Sequence, residues 1–412
     1  MTESARNTLL LAKIESSEGV DPTPTAAANA MLVSNLQVSP FEAQVATRDT
    51  TQPFQGGRQR IHHGIFSRCS FEVEMIGSGA NNVAPAYGPL LRACGLSQAA
   101  RSGATGTIGD KVAVGTPDGT WTYTKTTAYD GTAQRTVTLE CTTGGGTGTA
   151  EFTVSAPAAG DQSAYSETGE VMTDSAAFDL GGSAQITPTI GTDFSIGDTW
   201  EIEVLPVRTE YAPVSTAHSS VTLYYYLNGS LHAMTGFRGE LGIRVETGLP
   251  RLTFAGFGQK VDPTSTALPS DEDFAAFVRP LPTSPTNTPM VQLHRQDLRL
   301  MTWSMQLGNQ ADPRRLVNHY SVPIRDRDVT GQINFEAPLQ STFNIWSVAE
   351  ANTLGRFKLQ MGAAAGDIVG VWGERCQILQ PQYSEQDTLV HLQANLAYVP
   401  AAGNDEIFIY TA

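Results

Sequence analysis

The stretch "LHAMTGFRGELGIRVETGLPRLTFAGFGQ", residues 231–259, decides the fold class. In a strand, successive side chains point to opposite faces. From Phe237 onward, Phe237, Leu241, Ile243 and Val245 fall on one side, with Arg238, Glu240, Arg244 and Glu246 on the other. After the turn Thr247-Gly248-Leu249-Pro250, Leu252, Phe254 and Gly256 take the apolar side, while Arg251, Thr253 and Ala255 take the polar one. The pattern predicts an antiparallel pair with one core face and one solvated face. Gly236, Gly239, Gly242, Gly256 and Gly258 mark either bulges or points where another backbone comes close. The sharper expectation is the backbone of a partner chain.

The same period recurs elsewhere. In residues 65–76, Cys69, Phe71, Val73 and Met75 oppose Arg68, Ser70, Glu72 and Glu74. Near the end of the chain, Val390, Leu392, Ala394, Leu396 and Tyr398 oppose His391, Gln393 and Asn395. Asn228-Gly229 predicts a tight hairpin. Long helical periodicity is nearly absent, so the class is mainly β. Two short helices are predicted: residues 85–97, stopped by Gly95, and residues 341–355, capped by Ser341 or Thr342 and ended by Gly355. Residues 1–30, with Pro22 and Pro24, read as an extended arm. Residues 46–64 form a connection too long for a tight turn and carry Arg48, Asp49, Pro53, Phe54, Arg58 and Arg60.

With 412 residues, 40% of them hydrophobic, the chain can fill more than one core. Its net charge of −15 argues against a nucleic-acid binder that works through a basic patch. The charge is uneven: residues 103–208 hold 14 acidic and 4 basic residues, a net of −10. This stretch is rich in Thr, Gly and Asp, with short β runs such as "TWTYTK" and "DTWEIEVLPV", and reads as an inserted β-sandwich of immunoglobulin-like size. It lacks the Cys…Trp…Cys framework of true immunoglobulin domains. Its flanks, residues 97–101 and 208–213, read as loops, so the insertion is expected to be separately solvated and dispensable for assembly. Residues 1–102 and 209–412 are then two parts of one body.

Cys69, Cys94, Cys141 and Cys376 are far apart and predict reduced, buried thiols. The apolar run Leu9 to Ala12, stopped by Lys13, is too short for a signal peptide or membrane span, which predicts a protein made and used from the cytosol. Chemistry-bearing motifs fail on spacing. The glycines of residues 144–148 lack the Lys-Ser/Thr of a phosphate loop. "IGSGANN" is not a nucleophile elbow. His62 and His63 point apart on a strand and have no spaced third ligand. Glu72 with Glu74, or Asp271 with Asp273, has only the two-apart spacing common in an acidic chain. The expectation is no enzyme, no metal and no cofactor.

Taken in order, "LLAKIESSEGVDPTPTAAANAMLVSNLQVSPFEAQVATRDTTQPF", "SFEVEM", "PAYGPLLRACG", "GFRGELGIRVETGLPRLTFAGFG" and the run from "NTLGRFKLQMGAAAGDIVGVW" to the end resemble the tail tube (major tail) proteins of bacteriophages with long non-contractile tails. Residues 103–208 interrupt the resemblance. It implies a β-sandwich flanked by a helix, six copies closing into a ring, and rings stacked into a tube that conducts DNA. The implied partners are other copies of the chain and the tape measure, tail tip and tail terminator proteins. The implied location is the virion tail, with assembly in the host cytoplasm. DNA would cross the lumen without specific binding. On that reading Glu72, Glu74, Glu240 and Glu246, with Arg238 and Arg244 beside them, are the lumen candidates. Arg48, Asp49, Pro53, Phe54, Arg58 and Arg60 are then the ring-to-ring candidates. A carbohydrate-binding adhesin, reading glycans through Trp121, Tyr123 and Trp200, is the alternative.

Overall fold

A computed structural model of the chain describes residues 7–101, 108–131, 133–159, 162–386 and 388–412. The first six residues of the expected arm and residues 103–107 at the start of the insertion lie outside them. The fold is mainly β and antiparallel, with three short helices among the described residues.

The strand Ser230–Val245 is the hub. One of its edges pairs with Arg251–Lys260, which pairs in turn with Arg60–Glu74 and then with Ser34–Thr47. The other edge pairs first with Val221–Leu227 and, past a bulge, with Leu300–Gln306. From Leu300–Gln306 the sheet continues through Thr330–Glu336, Leu389–Tyr398 and Val369–Gln386. The predicted apolar side faces inward: Phe237, Leu241, Ile243, Val245, Leu252, Phe254, Phe71 and Val73 are all buried in one core with Trp303, Phe335 and Phe357. Asn228 and Gly229 both take positive φ and close the hairpin where predicted. The helices are Gly88–Ala93, followed by Gly95 with φ +78°, and Ile345–Glu350. The second is capped by Asn344, whose side chain accepts from the Ser347 N–H, and not by Ser341 or Thr342.

Three expectations change. Residues 7–30 are no free arm: Thr8–Ile14 is a strand paired with Val221–Leu227, and Leu9 to Ala12 are buried. The apolar run judged too short for a membrane is the length of a strand in a core. Second, the charged side of Ser230–Val245 is solvated only at its end. Arg238 is 8% exposed because residues 18, 218–219 and 322 close over it. Third, two of the glycines, Gly239 and Gly256, admit this chain's own backbone. Gly239 sits opposite Gly256, and a Cβ on either would lie 2.2 or 2.3 Å from a carbonyl oxygen of the facing strand. The two strands of one chain make the close approach that was expected from a partner.

Residues 108–204 fold around their own core in two sheets, one of five strands and one of three. Trp121, Phe152, Phe194 and Trp200 meet there, mostly edge to face. The flanks are paired strands and not loops: Leu96–Arg101 runs antiparallel to Arg208–Pro213, which also pairs with Phe408–Thr411. All four cysteines are free and buried. Burial pushes the Cys69 thiol up to about 12, which makes it inert near neutral pH.

The Gly239–Gly256 contact sets a stability test. Gly239→Ala should cost about 1–3 kcal/mol, because the added methyl meets backbone that cannot swing away. Gly57→Ala, where a Cβ meets nothing within 4 Å, should change stability by about 0.5 kcal/mol or less. Urea unfolding measures both, and equal midpoints would contradict the close approach.

Candidate assembly surface

The strands Ser34–Thr47 and Arg60–Glu74 form a long hairpin whose inner half lies on the core. Beyond Gln44 and before Gly64, both strands are exposed on both faces, so this half is a two-stranded ribbon in solvent. Among the described residues, Ser34–Thr47 has no strand on its outer edge. Phe41 is 50% exposed and Phe54 at the tip 66%, with Val45 and Ile61 exposed between them. Phe41 meets the His62 ring in a T-shaped contact, with centroids 5.5 Å apart. A cavity of about 260 Å³ opens at the ribbon's base beside Phe41, lined by Leu10, Val38, Leu223, Tyr225 and Met234. An isolated two-stranded ribbon is marginal in water, and an open edge is a template for pairing. The geometry is that of an uncovered apolar surface beside an unpaired strand edge.

A second ribbon has the same character. Val369–Gln386 loses its neighbour Leu354–Met361 at Gln377, and among the described residues no strand takes that edge from there to Gln386. Tyr383, Leu389 and Val390 are exposed around this tip, where Trp346 packs on Tyr383 with ring centroids 5.1 Å apart. A third apolar tip, Leu316 and Val317, is fastened to the first ribbon: Arg315 donates to the Gly64 carbonyl at 2.7 Å and lies over the Phe66 ring.

Of the six ring-to-ring candidates, Arg48, Asp49, Pro53, Phe54 and Arg60 are exposed on the first ribbon. Arg58 instead ties its own loop, donating to the carbonyls of Thr50 and Gly56 at 3.1 and 2.8 Å. His62 and His63 face different cross-strand partners, Val45 and Gln44. Among the described residues no group of three His, Cys, Asp or Glu could hold a metal ion.

The lumen candidates divide. Strand register aligns Arg244, Arg251 and Glu74 in one cross-strand row and Gly242, Thr253 and Glu72 in the next. Glu72, Glu74 and Arg244 therefore share one sheet face. Glu72 is bound there by Arg251 at 2.7 Å and Asn35 at 2.9 Å, and Arg244 pairs with Glu246 at 2.6 Å. Alternation puts Arg251 on the polar side, but its partner Glu72 lies 179 residues away, beyond the reach of local pattern. The face is thus closer to charge balance than Glu72 and Glu74 alone would make it.

Arg238 and Glu240 lie farther along the same strand, where neighbouring loops cover them. Arg238 is ion-paired with Glu18 at 2.6 Å and donates to the carbonyls of His218, Ser219 and Val322. Glu240 accepts from the N–H groups of Gly308 at 2.8 Å and Asn309 at 2.5 Å. Burial pushes its carboxyl above the ordinary glutamate value, and these N–H donors pull against that rise. Both residues hold loops onto the subunit.

The aromatics of the adhesin alternative are core residues. Trp121 and Trp200 are 3% and 2% exposed, and the half-buried Tyr123 donates its hydroxyl to the Gly109 carbonyl at 2.6 Å. None presents an open stacking platform. Among the described residues no helix is long and apolar enough to cross a membrane. A comparison with models of known protein families finds no match, and a search of curated proteins finds no significant relative.

Phe54→Ser and Ile61→Thr together should change subunit stability by about 0.5 kcal/mol or less, since neither side chain lies on a core. They should weaken self-association, because both lie on the uncovered ribbon. Chemical denaturation and sedimentation velocity read the two effects separately, and unaltered sedimentation would move the contact elsewhere.

Proposed function

We propose that the chain is a structural, self-assembling subunit, and that its assembly is the tail tube its sequence resembles. The observation that carries this reading is the ribbon formed by Ser34–Thr47 and Arg60–Glu74, with an open edge and apolar side chains on an arm that has no core of its own. A second open-edged ribbon at Val369–Gln386 gives the subunit two different pairing surfaces. Unlike surfaces that meet head to tail close into rings or run on as filaments. Rings of six, stacking into a tube, DNA passage, and the tape measure, tail tip and tail terminator partners come from the resemblance. So do the tail-tube sandwich and the immunoglobulin-like identity of the inserted module.

In that assembly the first ribbon, through Arg48, Asp49, Pro53, Phe54 and Arg60, reaches the next ring. The face of Glu72, Glu74, Arg244, Arg251 and Glu246 lines the channel. Mixed, mutually paired charge on that face presents DNA with few unpaired cations, so few phosphate contacts must break as it moves. No observation favours the adhesin reading, whose named aromatics are buried or half-buried.

Negative-stain microscopy of the purified protein is the test. Rings or tubes are expected, and monodisperse single subunits under all conditions tried would overturn the reading. Deleting residues 48–60 should leave a folded subunit that builds no long tubes; long tubes from that variant would remove the ribbon from the ring-to-ring contact.

A further inference from the structure

The seam between residues 108–204 and the rest of the chain is polar, buried and charge-matched. Glu203, on the module's strand Thr199–Val204, is 1% exposed and ion-paired with Lys358 of the body, itself 5% exposed. Arg356 approaches the same carboxylate at 3.6 Å while its Nε binds Glu374 at 2.8 Å. Within the module, Thr136 donates to Glu203 at 2.7 Å and Gln134 at 3.2 Å, so both carboxylate oxygens are occupied. Gln134 also accepts from the Tyr410 hydroxyl of the body at 3.0 Å. At one side Arg295 binds Glu201 at 3.0 Å and the Ala113 carbonyl at 3.3 Å. Beneath the ions, Ala133 joins Ile368, Tyr410 and Ala412 in a small apolar cluster of its own.

We infer that the inserted module is locked to the body in one orientation by the Glu203–Lys358–Arg356 network, so that module and body unfold as one cooperative unit. Three features lead there. Buried ions tolerate little displacement, because an ion that loses its partner without regaining water is strongly destabilising. The chain leaves Val204 and enters the body strand Arg208–Pro213 after only residues 205–207, so the connection on that side has little slack. That strand is paired on both edges, with Leu96–Arg101 and Phe408–Thr411, and the stem cannot swing without breaking the body sheet. Arg295, Arg356 and Lys358 face Glu201, Glu203 and Glu374, so the charges cancel and leave nothing to attract an anionic ligand. On this inference the module braces the body and is not a separately solvated appendage. The inference holds whether or not the chain forms tubes.

Calorimetry and hydrogen exchange on the full chain test it. One thermal transition is expected, with the slowest amides of Arg135–Thr143 in the module and Leu354–Met361 in the body sharing one opening constant to within about tenfold. Glu203→Gln and Lys358→Met should each lower that single midpoint by several degrees. The double variant Glu203→Leu/Lys358→Met should lose less than the sum of the two, because it leaves no orphaned ion. Two separate transitions in the unmodified chain would overturn the inference. So would single variants that speed exchange in the module while leaving the body's slow amides unchanged. The exchange measurement on the unmodified chain decides the matter even if a variant fails to fold.

Discussion

One strand has to satisfy both halves of the sheet. Ser230–Val245 pairs with Arg251–Lys260 along one edge, and divides its other edge between Val221–Leu227 and Leu300–Gln306. The handover needs a bulge, and Gly236, at φ +65°, provides the backbone for it. The buried carboxylate of Glu15 holds the bulge in place: it accepts from the Gly236 N–H at 2.6 Å, from the hydroxyls of Ser220 and Thr222, and from the Gly19 N–H. A slip of one residue in this strand would turn Phe237, Leu241 and Ile243 outward and bury Arg244. The body core therefore depends on the register of this strand, and that register on a carboxylate more than 200 residues away in sequence.

That dependence explains what could be read directly and what could not. Alternation identified the inward faces of residues 237–245 and 65–76 because a strand's period is local. The Asn228–Gly229 turn was legible because two positive φ values demand such residues. Pairing across long sequence distances leaves no such trace. Nothing near Arg238 announces that Glu18 will pair with it, so its face read as solvated. Leu9 to Ala12 looked like a stray apolar run because its partner strand begins at Val221. The candidate assembly surface was half legible: the length of residues 46–64 marked a special loop, but the exposure of Phe41 and Ile61 on both strands below it needed the fold.

Charge is arranged to the same end. The chain carries −15, and residues 103–208 contribute −10 of it. Glu201 and Glu203 are matched at the seam, while Asp110, Asp118, Asp130, Glu167, Asp174, Asp179 and Asp193 stay exposed on the module. Net charge of one sign keeps free subunits apart at long range. Any association has to come from contacts that are short-ranged and directional. Open strand edges and apolar tips fit that requirement, because backbone pairing works only at one register and one distance.

The two ribbons are therefore expected to be the least stable parts of the isolated subunit and among the most ordered parts of an assembly. Outward from Gln44, the first ribbon has hydrogen bonds between its strands but no apolar surface beneath them. Ordering those residues costs roughly 1–2 kcal/mol each in backbone entropy, with little burial to offset it. A neighbouring copy that covered Phe41, Val45 and Ile61 would supply that burial and a second row of backbone partners together. Ordering of the ribbon and association are then linked, since whatever stabilises one favours the other. The locked seam on the module has the opposite character, closed and satisfied within one chain. One subunit thus combines a body whose polar groups are largely matched internally with projecting strands that leave an edge unpaired within the chain.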